Sequence, residues 1–242
     1  MVIAIFSDIH SNLEALEVFF NQVYGKVDRY ICLGDIVGYG PDPSPCISIV
    51  RNICGAEWAV KGNHDRALIS PKETSNFNFV AAEAIFWTLD RVSETDIEYI
   101  KSLSDVIDYN GYIFTHGGLI DIDEYITSIS SATRNLNRLS RLGKRIMFYG
   151  HTHIPAIWSS KGFQPIEYGK KIYLDKNELY LINPGSIGQP RDNSPLGSYL
   201  LFDESDTSVV FRRFEYNVRE TYRKITSRGL PEYLGRRLMF GV

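Results

Sequence analysis

A chain of 242 residues, 44% hydrophobic and 23% charged, can bury a substantial core and has the balance of an ordinary globular protein. A formal net charge of −3 gives no bulk electrostatic case for binding nucleic acid or an anionic membrane. The three cysteines (Cys32, Cys46, Cys54) form neither a C-x-x-C pair nor an even framework, and no apolar run approaches the roughly 18 residues of a membrane span, so a reduced, cytoplasmic protein is expected.

Taken in chain order, short apolar runs alternate with helical patterns. Val2–Phe6 predicts a buried strand. Leu13, Leu16, Phe20 and Val23 recur at helical spacing and predict a helix over Leu13–Val23. Residues 29–33 predict a second strand, 46–53 a helix after a Pro-rich turn, and 57–60 a third strand. This β-α-β-α-β order argues for an α/β fold. The polar stretch 70–78 reads as a surface loop, and 79–92 and 94–103 as two helices, which together make a small helical insert at about 70–103. Strands are predicted at 106–109, 112–115, 145–149, 156–159, 172–174, 179–182, 199–202 and 208–214, with a helix at about 132–142. Short turns join the late strands, as in an antiparallel or mixed sheet. Basic residues between Arg212 and Arg237 read as the solvated face of a helical tail at about 217–242. With no repeat or linker, one domain over 1–242 is expected.

The residues at the carboxyl end of each strand carry the chemistry. The runs end in Ser7-Asp8-Ile9-His10, Gly34-Asp35, Gly62-Asn63-His64-Asp65, His116-Gly117-Gly118, Gly150-His151-Thr152-His153 and Asn183-Pro184-Gly185-Ser186. Ligands of open α/β sheets bind beyond the carboxyl ends of strands. All five histidines of the chain lie in these segments. Imidazole is the commonest metal-binding side chain, and here it stands with carboxylates and an amide oxygen. Asp8/His10 and His151/His153 are two apart, so in extended backbone each pair points to one side. A zinc finger is excluded because Cys contributes nothing, a serine hydrolase because no G-x-S-x-G occurs, and a P-loop because no G-x4-G-K-[ST] occurs.

In order and spacing, Asp8-Ile9-His10, Gly34-Asp35, Gly62-Asn63-His64-Asp65, His116 and Gly150-His151-Thr152-His153 resemble the calcineurin-like metallophosphoesterase superfamily. The longer strings from Asp8 to Leu16, Leu33 to Pro41 and Asn183 to Arg191 look like its small prokaryotic phosphodiesterase (YfcE-like) branch. The resemblance covers residues 2 to about 191. It implies a four-layer αββα sandwich of two mixed sheets flanked by helices. It also implies that Asp8, His10, Asp35 and His153 hold one divalent metal, and that Asp35 bridges to a second held by Asn63, His116 and His151. His64 would not ligate but would face the substrate phosphate, so His64 and Asp35 are the implied catalytic residues.

The implied reaction is hydrolysis of a phosphodiester or phosphomonoester, of a nucleotide-type small molecule, by a hydroxide bridging two metals. The donors are N and O only, and the carboxylates and amide lean towards Mn²⁺, with Fe, Zn²⁺ and Ni²⁺ as alternatives. An asymmetric dinucleoside-polyphosphate hydrolase and a protein phosphatase are the alternative activities; a silent metal-binding scaffold is disfavoured because every ligand position is filled. One departure stands out. The GDxVDRG motif of protein Ser/Thr phosphatases reads Gly34-Asp35-Ile36-Val37-Gly38-Tyr39-Gly40 here, so Gly38 replaces the aspartate that orients the catalytic histidine. Asn12 and Arg191 are further candidates for substrate contact, with Asn12 open to a helix N-terminal role instead. Tyr39, Phe77, Phe79 and Trp87 are candidates for stacking on a nucleobase if the insert folds over the site, with Phe79 and Trp87, eight apart on a helix, reading more readily as core. The expected partner is a small phosphoester, with no membrane role; a homo-oligomer is left open.

Overall fold

The computed structural model describes residues 1–242. Its strands are β1 (Val2–Phe6), β2 (Arg29–Cys32), β3 (Val106–Tyr109), β4 (Tyr112–Thr115), β5 (Ile146–Tyr149), β6 (Ala156–Ser159), β7 (Gly162–Gln164), β8 (Lys171–Tyr173), β9 (Tyr180–Asn183), β10 (Gly197–Asp203) and β11 (Ser208–Phe214). Its helices are α1 (Leu13–Val23), α2 (Pro43–Cys54), α3 (Asn63–Ile69), α4 (Phe79–Leu89), α5 (Glu94–Ser102), α6 (Ile129–Arg141), α7 (Val218–Ser227) and α8 (Glu232–Arg236), with short 3-10 turns at Pro71–Asn76 and Arg237–Met239.

The strands form two sheets, β2-β1-β10-β11-β8 and β3-β4-β5-β9-β6-β7. Both are mixed: β1 runs parallel to β2 and antiparallel to β10, while β4, β5 and β9 are parallel beside antiparallel β3 and β6. The side-chain period of two explains the layering. Along β1, Ile3 and Ile5 face a core shared by the two sheets with Ile31, Phe114, Phe148, Phe202 and Phe211. The alternate residues Ala4 and Phe6 face Leu16 and Phe19 of α1 and Val50 of α2. On the second sheet, Met147, Tyr149 and Leu181 face Leu136 and Leu139 of α6. The result is the expected four-layer αββα sandwich.

Two local expectations are corrected. The run 57–60 makes only isolated bridges, Cys32 with Ala59 and Val60 with Ser104. It stops there because the polar segment after it starts a helix that the sequence pattern did not indicate: the Asp65 carboxylate accepts from Gly62 N at 2.9 Å, closing the first turn of α3. The basic tail is also less solvated than expected. Lys224 pairs with Glu14 and with Asp42 (2.9 Å), and Arg228 with Asp42 (2.7 Å), which pins α7 to the sandwich. Apolar residues finish the attachment, for Ile225, Leu230, Leu234 and Leu238 pack with Tyr39, Ala81 and Ala84. The tail and α4 of the insert therefore share one small core beside the strand ends. No helix is long and apolar enough to cross a membrane.

Candidate metal centre

The segments after β1, β2, β4, β5 and β9 converge at one end of the sandwich. They are tied by main-chain bonds: Asp8 N to Gly34 O (3.0 Å), His10 N to Asp35 O (3.0 Å), Gly150 N to His116 O (2.8 Å) and Gly188 N to Asp8 O (3.0 Å). Asp8, His10, Asp35, His151 and His153 all have left-handed backbone, with φ of 54°, 49°, 52°, 67° and 59°. Such angles are uncommon outside glycine and persist only where surrounding bonds hold them. Gly62 has a steric reason: a Cβ there would lie 2.0 Å from Asp35 Oδ1.

Two clusters of donor atoms result, Asp8, His10, Asp35 and His153, and Asp35, His116 and His151, each with its atoms within 4.8 Å of one another. Every residue named is buried. Asp35 belongs to both. Its Oδ1 accepts from His64 N at 2.9 Å, and its Oδ2 lies 3.5 Å from His10 Nε2 and 3.3 Å from His116 Nε2. Asn63 Oδ1 lies 3.2 Å from His116 Nε2, which adds the amide oxygen to the second cluster.

The chemistry of the donor set fits cations. His10 Nδ1 faces Val37 O (3.1 Å), and His153 Nδ1 faces Gln189 O (2.5 Å). Each donates there, so each presents a bare Nε2, and these two nitrogens stand 3.1 Å apart. His116 Nδ1 faces Leu33 O (2.7 Å) and His151 Nε2 faces Asp123 O (3.0 Å), leaving His116 Nε2 and His151 Nδ1 3.1 Å apart. Lone pairs directed at one another, with a buried carboxylate alongside, need a positive charge between them.

In the metal-free chain a proton partly supplies that charge. Burial pushes His10 and His153 well below the usual imidazole range and His151 down to about 3. Burial also opposes charge on His116, but the Asp35 carboxylate overrides it and lifts His116 to about 9. For Asp35 itself burial acts upward, and the surrounding imidazoles, His116 foremost with His64 and His10, together outweigh it and hold the carboxyl well below the usual range. Asp8 is raised by burial to about 7. To ligate a cation, His116 would have to shed its proton. Metal affinity is therefore expected to rise about tenfold per pH unit between pH 6 and 8, with about one proton released per second-site ion. Titration calorimetry in buffers of different ionisation enthalpy reads this directly. Affinity flat across that range would remove His116 from the ligand set.

A cavity of about 290 Å³ opens onto the centre, lined by Asp35, Asn63, His64, His151 and His153 with Tyr39, Phe77, Tyr125 and Arg191. Arg191 reaches it, held by Gln189 Oε1 (2.8 Å). Asn12 does not line it. Its Oδ1 caps α1 at Ala15 N and accepts from Thr221, and its Nδ2 donates to Gly188 O, so all its polar atoms serve the frame. Phe79 is neither core nor wall, at 81% exposed, and Trp87 donates to Arg228 O in the tail. Sequence reasoning missed Tyr125, whose ring lies tilted 37° at 3.9 Å from that of His151, and Asp123, whose main-chain carbonyl orients the His151 ring. It also gave no role to Asp65, whose carboxylate joins Ile36 N and Val37 N to Gly62 N and so locks two motifs together. The signal for Tyr125 was its place in the long loop after the His116 strand; Asp65 lay within a quoted motif.

Two mixed sheets between helices, with buried Asp and His clusters at the strand ends, define a metal-binding α/β sandwich. Residues 1–207 match the model of the calcineurin-like phosphoesterase superfamily domain, and the chain belongs to that family. It is 38% identical over 248 residues to the uncharacterized protein MJ0912 of Methanocaldococcus jannaschii, covering 99% of this chain and 98% of that one. Among solved structures, a metallophosphoesterase from Sphaerobacter thermophilus matches with TM-score 0.89 and 35% identity, over 100% of this chain and 99% of that one. The hypothetical protein PH1004 from Pyrococcus horikoshii OT3 shares the fold at TM-score 0.80 and 18% identity, over 100% and 98%.

Proposed function

We propose that the chain, acting as one unit over 1–242, is a dimetal-dependent phosphoesterase that hydrolyses phosphodiester or phosphomonoester bonds of a nucleotide-type small molecule. The observation that carries this is the pair of facing bare imidazole nitrogens on each side of the shared Asp35 carboxylate. Asp8, His10, Asp35 and His153 would hold one dication, and Asp35, Asn63, His116 and His151 the other. Two dications there supply Lewis-acid polarisation of a phosphoryl oxygen and a water of lowered pKa. The two carboxylates and the amide oxygen lean towards Mn²⁺.

The chain's own groups do the rest. Arg191 offers a guanidinium to a phosphate oxygen at the cavity wall. His64 has Nδ1 buried, so Nε2 is the nitrogen left to the cavity, where it donates a hydrogen bond to the phosphoryl or leaving oxygen. The rings of Tyr39, Phe77 and Tyr125 supply stacking faces in a space of nucleotide size, which favours a nucleotide-type organic group.

The test uses metal-stripped protein with Mn²⁺, Ni²⁺, Zn²⁺ or Mg²⁺ returned singly, and bis-p-nitrophenyl phosphate beside p-nitrophenyl phosphate. Metal-dependent diester cleavage above monoester cleavage is expected. Monoester cleavage alone would make the enzyme a phosphatase, and no turnover of either ester at full metal occupancy would refute the activity.

A further inference from the structure

The four liganding histidines each have a backbone carbonyl that fixes the ring. His64 has none: its Nδ1 is buried without a hydrogen-bond partner in the protein. Nor can a carboxylate stand where the protein phosphatase motif has one. Gly38 has φ +92°, and a Cβ built on it would lie 2.3 Å from His64 Nδ1. The ring rests directly on the glycine backbone.

What surrounds the ring is other rings. Tyr39 lies at a centroid distance of 4.5 Å and 52°, Phe77 at 4.7 Å and 41°, and the edge of His10 at 4.8 Å and 81°. With its main-chain N–H bonded to Asp35 Oδ1, the remaining freedom of His64 is rotation of the side chain, and these rings oppose it. With no acceptor for a proton on Nδ1, the tautomer with the proton on Nε2 is favoured.

We propose that Tyr39 and Phe77 are positioning residues, which orient His64 by ring packing in place of a carboxylate partner. The inference rests on the phosphoesterase reading above for its kinetic consequence but not for its geometry. Both rings are anchored from outside the sandwich. Tyr39 packs among Ile225, Leu234 and Leu238 of the tail, and Phe77 packs against the same core beside Ala81 of the insert. The insert and the tail thus reach the reaction through these two rings.

Because small misplacement of a reacting group is costly, Phe77→Ala is expected to lower kcat by roughly 10- to 100-fold. Both metals should be retained, and any rise in KM from the lost stacking face should come in addition to the fall in kcat and not in place of it. Phe77→Tyr, which keeps the ring, restores most of kcat. In a His64→Ala background Phe77→Ala should cost nothing further, the non-additivity expected of residues acting as one unit. Equal losses in both backgrounds, or a loss confined to KM, would overturn the proposal. A second readout needs no turnover. In the zinc-loaded full chain, the ring-current shift of the His64 Hε1 proton should collapse in Phe77→Ala and persist in Phe77→Tyr. An unchanged shift in Phe77→Ala refutes the positioning role. An inactive wild type with the expected shifts refutes the activity and leaves the geometry standing.

Discussion

Asp35→Asn is expected to remove at least one metal ion and to reduce hydrolysis by roughly 10³-fold or more. Metal ions supply several kcal/mol of transition-state charge stabilisation, and about 1.4 kcal/mol is a factor of ten in rate. Asparagine tolerates left-handed backbone well, so φ of 52° at this position is kept and the loss is one of charge rather than shape. The amide can still receive the His64 N–H that Oδ1 receives now. It cannot supply the negative oxygen that Oδ2 places within 3.5 Å of His10 Nε2 and 3.3 Å of His116 Nε2. The metal-free protein shows a second effect. Burial pushes His116 down and the Asp35 carboxylate does most to lift it, ahead of Asp8 and the Leu33 carbonyl, so in the variant the His116 pKa falls and the proton released on metal binding shrinks. Elemental analysis, turnover and calorimetry read the three effects. Two bound metals with activity within tenfold of wild type would show that the carboxylate does not bridge.

His64→Ala is expected to lower kcat by about 10²–10³-fold, the usual range for removing one hydrogen-bond donor aimed at developing negative charge, while both metals stay bound. Its imidazole shares no hydrogen bond with a clustered donor; only its main-chain N–H does. Burial pushes its pKa down to about 4, so it acts as a neutral donor through Nε2 at any pH near neutrality. Protonation therefore cannot shape the pH-rate profile between 6 and 8, and that profile should look alike in wild type and variant. The loss should also depend on the leaving group. p-Nitrophenolate is stable as an anion and needs little help, so its release should suffer least; an alkoxide leaving group should suffer most. A uniform loss accompanied by loss of metal would make His64 a ligand.

Much of this was legible in the sequence for physical reasons. The unbroken apolar run Val2–Phe6 announced a buried strand, and the sandwich buries both of its faces. Polar residues gathered after apolar runs are costly unless they meet in one place, and they do meet. What stayed hidden depended on distance in the chain. α3 was hidden because its start is made of the polar motif itself, capped by Asp65 rather than announced by an apolar stripe. Tyr125 and Asp123 carry no local pattern; their role comes from packing on His151, some 25 residues away. Lys224 and Arg228 looked like solvated cations until Asp42, far up the chain, came to face them.

The left-handed backbone at Asp8, His10, Asp35, His151 and His153 has a consequence for how this fold can change. For residues with a Cβ that conformation costs about 1 kcal/mol or more each, so five of them hold a sizeable share of the roughly 5–15 kcal/mol by which a domain is stable. Glycine at His10, His151 or His153 would relieve its part of the strain and also remove a nitrogen lone pair that faces another, whereas at Asp8 or Asp35 it would also delete the acceptor of His151 N or His64 N. Selection of the metal-free chain for stability would therefore favour glycine at the three histidines, against the stabilisation that bound cations would supply. Without metal, heat resistance and chemistry pull apart at these three positions, and a laboratory selection for the first run in chelator is expected to erase the second.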